Sequence, residues 1–198
     1  MRLKSTPPTP TAEEIEKRQD EWDSLESYTL QEKALNFIFK DNYTLNNKIE
    51  QVLLKVCSLN AFYSTNIFDI FAVAKHIVNL DIDERLQNKN HKLVNDLSLI
   101  KMRNGTIKNF YSFATKYCSH HFEDDYPIYD SYVEAMLLHY KKQDRFSNFH
   151  KVNLKDYPLF CGILDEFRKF YKLDRFTLKQ IDKFLWLTGK EFFEKKYY

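Results

Sequence analysis

Asp130 stands where a loop gives way to a helix, in Tyr126-Pro127-Ile128-Tyr129-Asp130-Ser131-Tyr132-Val133. A carboxylate there can do two things. It can cap the helix, a role worth about 1 kcal/mol. It can also stand as an anion, favoured by the helix macrodipole. Such an anion can stabilise a developing positive charge and activate or orient a water. Just upstream, His120 and His121 accompany Cys118, Glu123, Asp124 and Asp125. Their spacing matches no standard zinc pattern, so no metal is expected. The two histidines are expected to line the loop before Asp130. The acidic trio would repel phosphate and should point away from a nucleic acid. No nucleophile elbow is present, which sets aside a Ser/His/Asp hydrolase.

A second group lies upstream. Cys57-Ser58-Leu59-Asn60 ends an amphipathic helical pattern, and Ala61-Phe62-Tyr63-Ser64-Thr65-Asn66 follows it. A third is the basic stretch Leu99-Ile100-Lys101-Met102-Arg103-Asn104-Gly105-Thr106-Ile107-Lys108. It reads equally as a solvated turn or as a set of phosphate contacts. Further basic residues gather at Lys141, Lys142, Arg145 and Lys151.

The elements that must position these groups are helical. Apolar residues recur at helical spacing as Ile49, Val52, Leu53, Val56 and Leu59, and again as Ile67, Ile70, Phe71, Ala74, Ile77 and Val78. Helices are also expected over 12–27, 30–40, 106–119, 128–140, 156–171 and 177–194, with short ones around Leu86, Leu93 and Leu97. Thr11 to Glu14, Thr29 to Glu32 and Thr177 to Gln180 have the spacing of capping boxes. No strand run and no internal repeat is apparent. The expected fold is all-α, with residues 1–11 a flexible tail and 12–198 a single domain.

Composition narrows the function. The 198 residues hold only three glycines, Gly105, Gly162 and Gly189. That excludes a Gly-rich phosphate loop and a dinucleotide fingerprint. Cys57, Cys118 and Cys161 are scattered, which argues against structural zinc or an iron–sulfur cluster and for free thiols in a reducing compartment. No cofactor is expected. The start carries no apolar signal core and no stretch approaches a membrane span, so a cytoplasmic protein is expected. Net charge is only +2, so any nucleic-acid surface must be local.

Taken in order, the Asn60 segment, the basic stretch, Ala114 and Asp130 resemble the helix-hairpin-helix DNA glycosylase superfamily, the endonuclease III-like enzymes. The resemblance covers roughly residues 44–190. Ile128-Tyr129-Asp130-Ser131-Tyr132-Val133 stands at the place of that family's catalytic Asp segment, and Ala114 lies 16 positions before Asp130. Asn60 takes the place of the family's polar residue that enters the base stack. The departures are clear. The family hairpin usually carries two glycines and a proline, while only Gly105 remains here, so a degenerate helix-hairpin-helix is expected.

The resemblance implies a monofunctional enzyme. The position of the lyase lysine falls on Ser112, with Lys108 and Lys116 one turn to either side. It implies that Asp130 is catalytic. Asn60, Phe62, Tyr63, Tyr126, Tyr129 and Trp186 would intercalate or line the base pocket. Lys101, Arg103, Gly105, Lys108 and Ser112 would meet the DNA backbone. The enzyme would flip a damaged or modified base, bulky phage bases included, out of double-stranded DNA and leave an abasic site. It would act as a monomer away from membranes. The alternatives are a catalytically inactive DNA-binding module on the same scaffold and an all-α protein-interaction domain.

Overall fold

The computed structural model describes residues 1–194 of the chain. In chain order the elements are β1 (Arg2–Leu3), α1 (Ala12–Ser24), α2 (Glu26–Asn36), a π-helical turn (Phe37–Asn42), α3 (Ile49–Tyr63), α4 (Ile70–Leu80), α5 (Asp83–Gln87), α6 (Lys92–Ser98), β2 (Leu99–Lys101), β3 (Ile107–Asn109), α7 (Tyr111–His121), α8 (Ser131–Asp144), a 3-10 turn (Lys151–Lys155), α9 (Tyr157–Phe170), α10 (Leu178–Phe192) and β4 (Phe193–Glu194). The fold is all-α, as its periodicities predict. The described residues form two compact units: Met1–Glu26 with residues 129–194, and Ser27–Ile128. Among the described residues, no helix is long and apolar enough to cross a membrane.

In the first unit α10 packs against both α1 and α8. The inner side of α8 buries Val133, Met136, Leu137 and Tyr140, the 3-1-3 spacing of one helical face. Gly189 of α10 lies directly against Tyr132 of α8. A Cβ on it would lie 2.7 Å from Tyr132 Cβ and 3.0 Å from the Tyr132 carbonyl oxygen. The start of α10 has the capping box its sequence predicts. Thr177 Oγ1 accepts from the Gln180 amide at 3.3 Å and Gln180 Oε1 accepts from the Thr177 amide at 2.9 Å. The first eleven residues are fastened to this unit. β1 pairs antiparallel with β4, Pro7 and Pro10 are buried, and the Tyr140 hydroxyl donates to the Pro8 carbonyl at 2.7 Å.

In the second unit α3 packs on α4, α6 on α7, and α3 also meets α7. Val52, Val56 and Leu59 of α3 and Val73, Ala74 and Ile77 of α4 are buried. Thr29 does not cap a helix: it lies inside α2, which starts at Glu26. The Thr-x-x-Glu pattern there falls mid-helix, where the backbone amides already have partners.

The stretch expected as a degenerate helix-hairpin-helix is a β-hairpin held between α6 and α7. β2 and β3 pair antiparallel with Lys101 opposite Ile107 and Ile100 opposite Lys108. Its tip is a tight turn. The Gly105 amide donates to the Met102 carbonyl at 2.9 Å and the Met102 amide to Thr106 at 2.8 Å. Gly105 has φ +82°, the left-handed region that a three-residue hairpin loop reserves for glycine. The one retained glycine therefore serves the turn.

Candidate functional site

The hairpin presents a surface rather than a core element. Ile100 is buried, whereas Lys101, Arg103, Lys108, Leu99 and Ile107 are exposed. From Leu97 to Phe122 the chain contains four basic residues and no Asp or Glu. Against the hairpin lies the loop joining α3 to α4. Together they form a cleft of about 460 Å³ whose walls include Asn66, Phe68, Asp69, Arg103, Asn104 and Lys108. Arg103 Nε donates to Asp69 Oδ2 at 2.7 Å. The guanidinium hydrogen bond holds the Asp69 carboxyl below its ordinary range. Asp69 also caps α4, its Oδ1 accepting from the Ala72 amide at 3.2 Å. One residue away, Phe68 is 97% exposed.

Asn60 does a different job from the one the resemblance implies. Its Nδ2 donates to the Ile67 carbonyl at 3.0 Å, and its Oδ1 accepts from the Ile67 amide and the Thr65 hydroxyl, each at 2.9 Å. A side chain with both ends committed is a clamp on the 61–67 loop, not a wedge for a base stack. Phe62 remains exposed at the end of α3. The Tyr63 hydroxyl lies 3.0 Å from His120 Nε2, and its ring takes the Lys116 ammonium at 5.2 Å. Lys116 Nζ donates to Ser112 Oγ at 2.6 Å. Ser112 is thus tied to a lysine of its own helix, one turn on.

Several predicted base-pocket residues prove to be core. Tyr126 is fully buried, its hydroxyl 3.4 Å from each of the Arg85 and Leu86 carbonyls. His120 is buried in the last turn of α7 rather than in a loop, and His121 ends the same helix. Tyr129, in the first unit, is 4% exposed. Its hydroxyl donates to Glu134 Oε2 at 2.5 Å, Phe160 meets its ring edge-on, and Lys155 sits 4.1 Å from its ring centre. These contacts cover the faces a base would need. Trp186 packs edge-on with Trp22 and Tyr132, and Lys190 lies 5.0 Å from its ring centre.

Asp130, also in the first unit, is the N-cap of α8. Its Oδ1 accepts from the Tyr132 amide at 2.8 Å, and the residue is half-buried. The cap function that its position predicts is present.

The second unit also holds a buried polar network whose partners no spacing in the sequence announces. Lys55, fully buried in α3, donates to the Leu45 carbonyl at 3.0 Å and to Asn46 Oδ1 at 2.8 Å, and lies 3.4 Å from His121 Nε2. The Tyr117 hydroxyl donates to the same Asn46 oxygen at 2.6 Å. Asn46 in turn gives its Nδ2 hydrogen to Asp83 Oδ1 at 2.6 Å. Phe39, in the π-helical turn, lies under Lys55 at 5.2 Å and meets Tyr117, His120 and His121. Burial lowers the Lys55 amine to about 8, against the pull of Asp83. Burial, with Lys55 nearby, holds His121 well below the ordinary histidine range. The signal that could have found the network is a lysine on the apolar face of α3, three residues after Val52 and one before Val56. Among the described residues, no group of three or more His, Cys, Asp or Glu comes together to hold a metal ion.

Comparison with known proteins bears on the second unit most. A family model described as the HI_0787_N N-terminal domain matches residues 14–125. That span includes the hairpin, the cleft and the Lys55 network, and it ends before Asp130. A Haemophilus influenzae protein described as an uncharacterized protein is 49% identical over 148 residues, which cover 74% of this chain and 70% of that relative. No solved structure matches the chain. Since the family model spans more than half of its residues, the chain belongs to the HI_0787_N family.

Proposed function

We propose that this protein binds nucleic acid, DNA in the first place, through the β2–β3 hairpin and the adjoining α3–α4 loop. One observation carries the reading. Lys101 and Lys108 are exposed on a hairpin whose flanking sequence, Leu97 to Phe122, holds no acidic residue, and Arg103 between them neutralises Asp69 of the adjoining loop. Phosphate contacts of this kind release counterions, so binding must weaken steeply with salt. The matched family domain contains the whole surface. The experiment is a salt titration of labelled DNA binding, for the wild type and for Lys101→Glu with Lys108→Glu. Binding that falls with salt, with a shallower slope in the double variant, supports the reading. Affinity unchanged by both substitutions would remove it.

A second reading, excision of a modified base as a monofunctional DNA glycosylase, draws on Asp130. An asparagine serves as N-cap as well as an aspartate, so the cap alone does not require the charge. In this reading the ionised carboxylate stabilises the oxocarbenium-like sugar and orients the attacking water. Alkali-labile sites appearing in modified DNA with the wild type, and absent with Asp130→Asn, would be its signature.

A further inference from the structure

We infer that the cleft between the α3–α4 loop and the β2–β3 hairpin takes an unpaired base of a single-stranded nucleic acid, stacked on Phe68. This rests on the nucleic-acid reading of the hairpin. It adds which form of nucleic acid the site selects and which residue selects it.

Phe68 is 97% exposed, yet the loop that carries it is fixed on both sides. Ile67 before it is buried, and Asn60 holds both its amide and its carbonyl. Asp69 after it caps α4 and pairs with Arg103. Ser64 and Asn66 hold left-handed backbone at φ 49° and 57°, which turns the chain sharply before Phe68. The backbone that carries the ring is therefore held on both sides, and the ring itself stands out into solvent.

The lining of the cleft fits a nucleotide, its one carboxylate, Asp69, being held by Arg103. The cleft of about 460 Å³ falls within the roughly 300–1,000 Å³ of small-ligand sites. Lys108 lines it and supplies an exposed cation for phosphate. Asn104 Oδ1 accepts from the Thr106 amide and hydroxyl, so its NH₂ is the donor left for a base edge. Asn66 lines the other side with a second amide. Aromatic rings beside cations are the arrangement that holds single strands, because every base has a face to stack. In a duplex those faces are already covered by neighbouring bases, so Phe68 has nothing to stack on. An apolar protein partner would suit the ring but not Lys108 beside it.

The test uses the full chain and four labelled probes of equal length. These are oligodeoxythymidine, oligouridine, the oligodeoxythymidine–oligodeoxyadenosine duplex, and an abasic single strand that keeps the phosphates. The wild type should bind the thymidine strand more tightly than the duplex and the abasic strand. Phe68→Ala should weaken single-strand binding about tenfold and leave the duplex unchanged, and Phe68→Trp should restore it. Lys108→Ala should weaken all probes. The uridine probe decides whether DNA or RNA is the preferred source of the base. If Phe68→Ala has no effect while Lys108→Ala does, or if ring loss weakens duplex binding equally, the inference falls and the hairpin reading stands. If the wild type binds none of the probes, the hairpin reading itself falls.

Discussion

Lys55 Nζ lies 3.4 Å from His121 Nε2 inside the second unit, and Asn46 Oδ1 lies 3.2 Å from the same nitrogen. The amine donates to the Leu45 carbonyl and to Asn46 Oδ1, and His121 Nε2 is the third polar atom beside it. A charged Lys55 beside a neutral His121 leaves one charge in the site, and the ammonium has two oxygen acceptors to hold it. Protonating His121 would set two cations side by side in a buried site.

That pairing makes stability depend on pH in two windows. Lys55 titrates near 8 in the folded chain, against 10.5 for the free side chain. Between those values the unfolded chain binds the extra proton, so stability rises with pH. His121 is held well below 6.5, so its contribution is present above 6.5 and is lost as pH falls towards its folded value. Urea unfolding of the wild type should show both slopes. Lys55→Met should flatten the one between pH 8 and 10.5 and weaken the acid one, because it removes the cation that disfavours His121⁺. A Lys55→Met profile parallel to wild type across pH 8–10.5 would sink this account.

Gly189 and Gly162 should respond oppositely to alanine. At Gly189 a new Cβ meets Tyr132 Cβ at 2.7 Å and Met136 Cγ at 3.2 Å. Gly189→Ala should cost about 1–3 kcal/mol, the range of overpacked cores, more than the helix propensity it gains. At Gly162, exposed within α9, nothing lies within 4 Å of the new atom. Gly162→Ala should add about 0.5–1 kcal/mol by restricting the unfolded chain. Chemical denaturation of the two single variants checks the pair, and the same sign in both would contradict it.

The helices were legible because burial repeats at their own period. Val52, Val56 and Leu59 announce α3 without help from the rest of the chain. The capping box at Thr177 is equally local. The hairpin was not legible, since each strand is three residues long and β3 offers only Ile107-Lys108-Asn109, with one β-branched side chain. The Lys55 network was hidden for another reason. Its partners come from residues 45, 46, 83, 117 and 121, and no period links them. Asn60 stands out in the sequence without revealing its task, because a helix-end amide looks the same whether it turns to the loop or to a ligand.

Asn60 should therefore behave as a structural clamp. Asn60→Ala removes three hydrogen bonds and leaves the part-buried Ile67 amide and carbonyl without that partner. The expected cost is about 1–3 kcal/mol, the range for stranded buried polar groups. Proteolysis within 61–67 should speed up, which limited trypsin-free digestion followed by mass spectrometry can locate. Stability equal to wild type with unchanged cleavage would mean that the loop holds its shape without the clamp.

Asp130 separates cap from charge. Asp130→Asn keeps an acceptor for the Tyr132 amide, so thermal stability should shift by only a few tenths of a kcal/mol. Asp130→Ala removes the cap and should cost about 1 kcal/mol. Base release offers the independent readout. If excision is the activity, both variants lose it although only Ala loses the cap. If the carboxylate serves the helix alone, DNA binding at the hairpin is the same in all three proteins and no base is freed by any of them. Mass spectrometry of the supernatant over modified DNA distinguishes the two, and release by Asp130→Asn at the wild-type rate would exclude a catalytic role for this carboxylate.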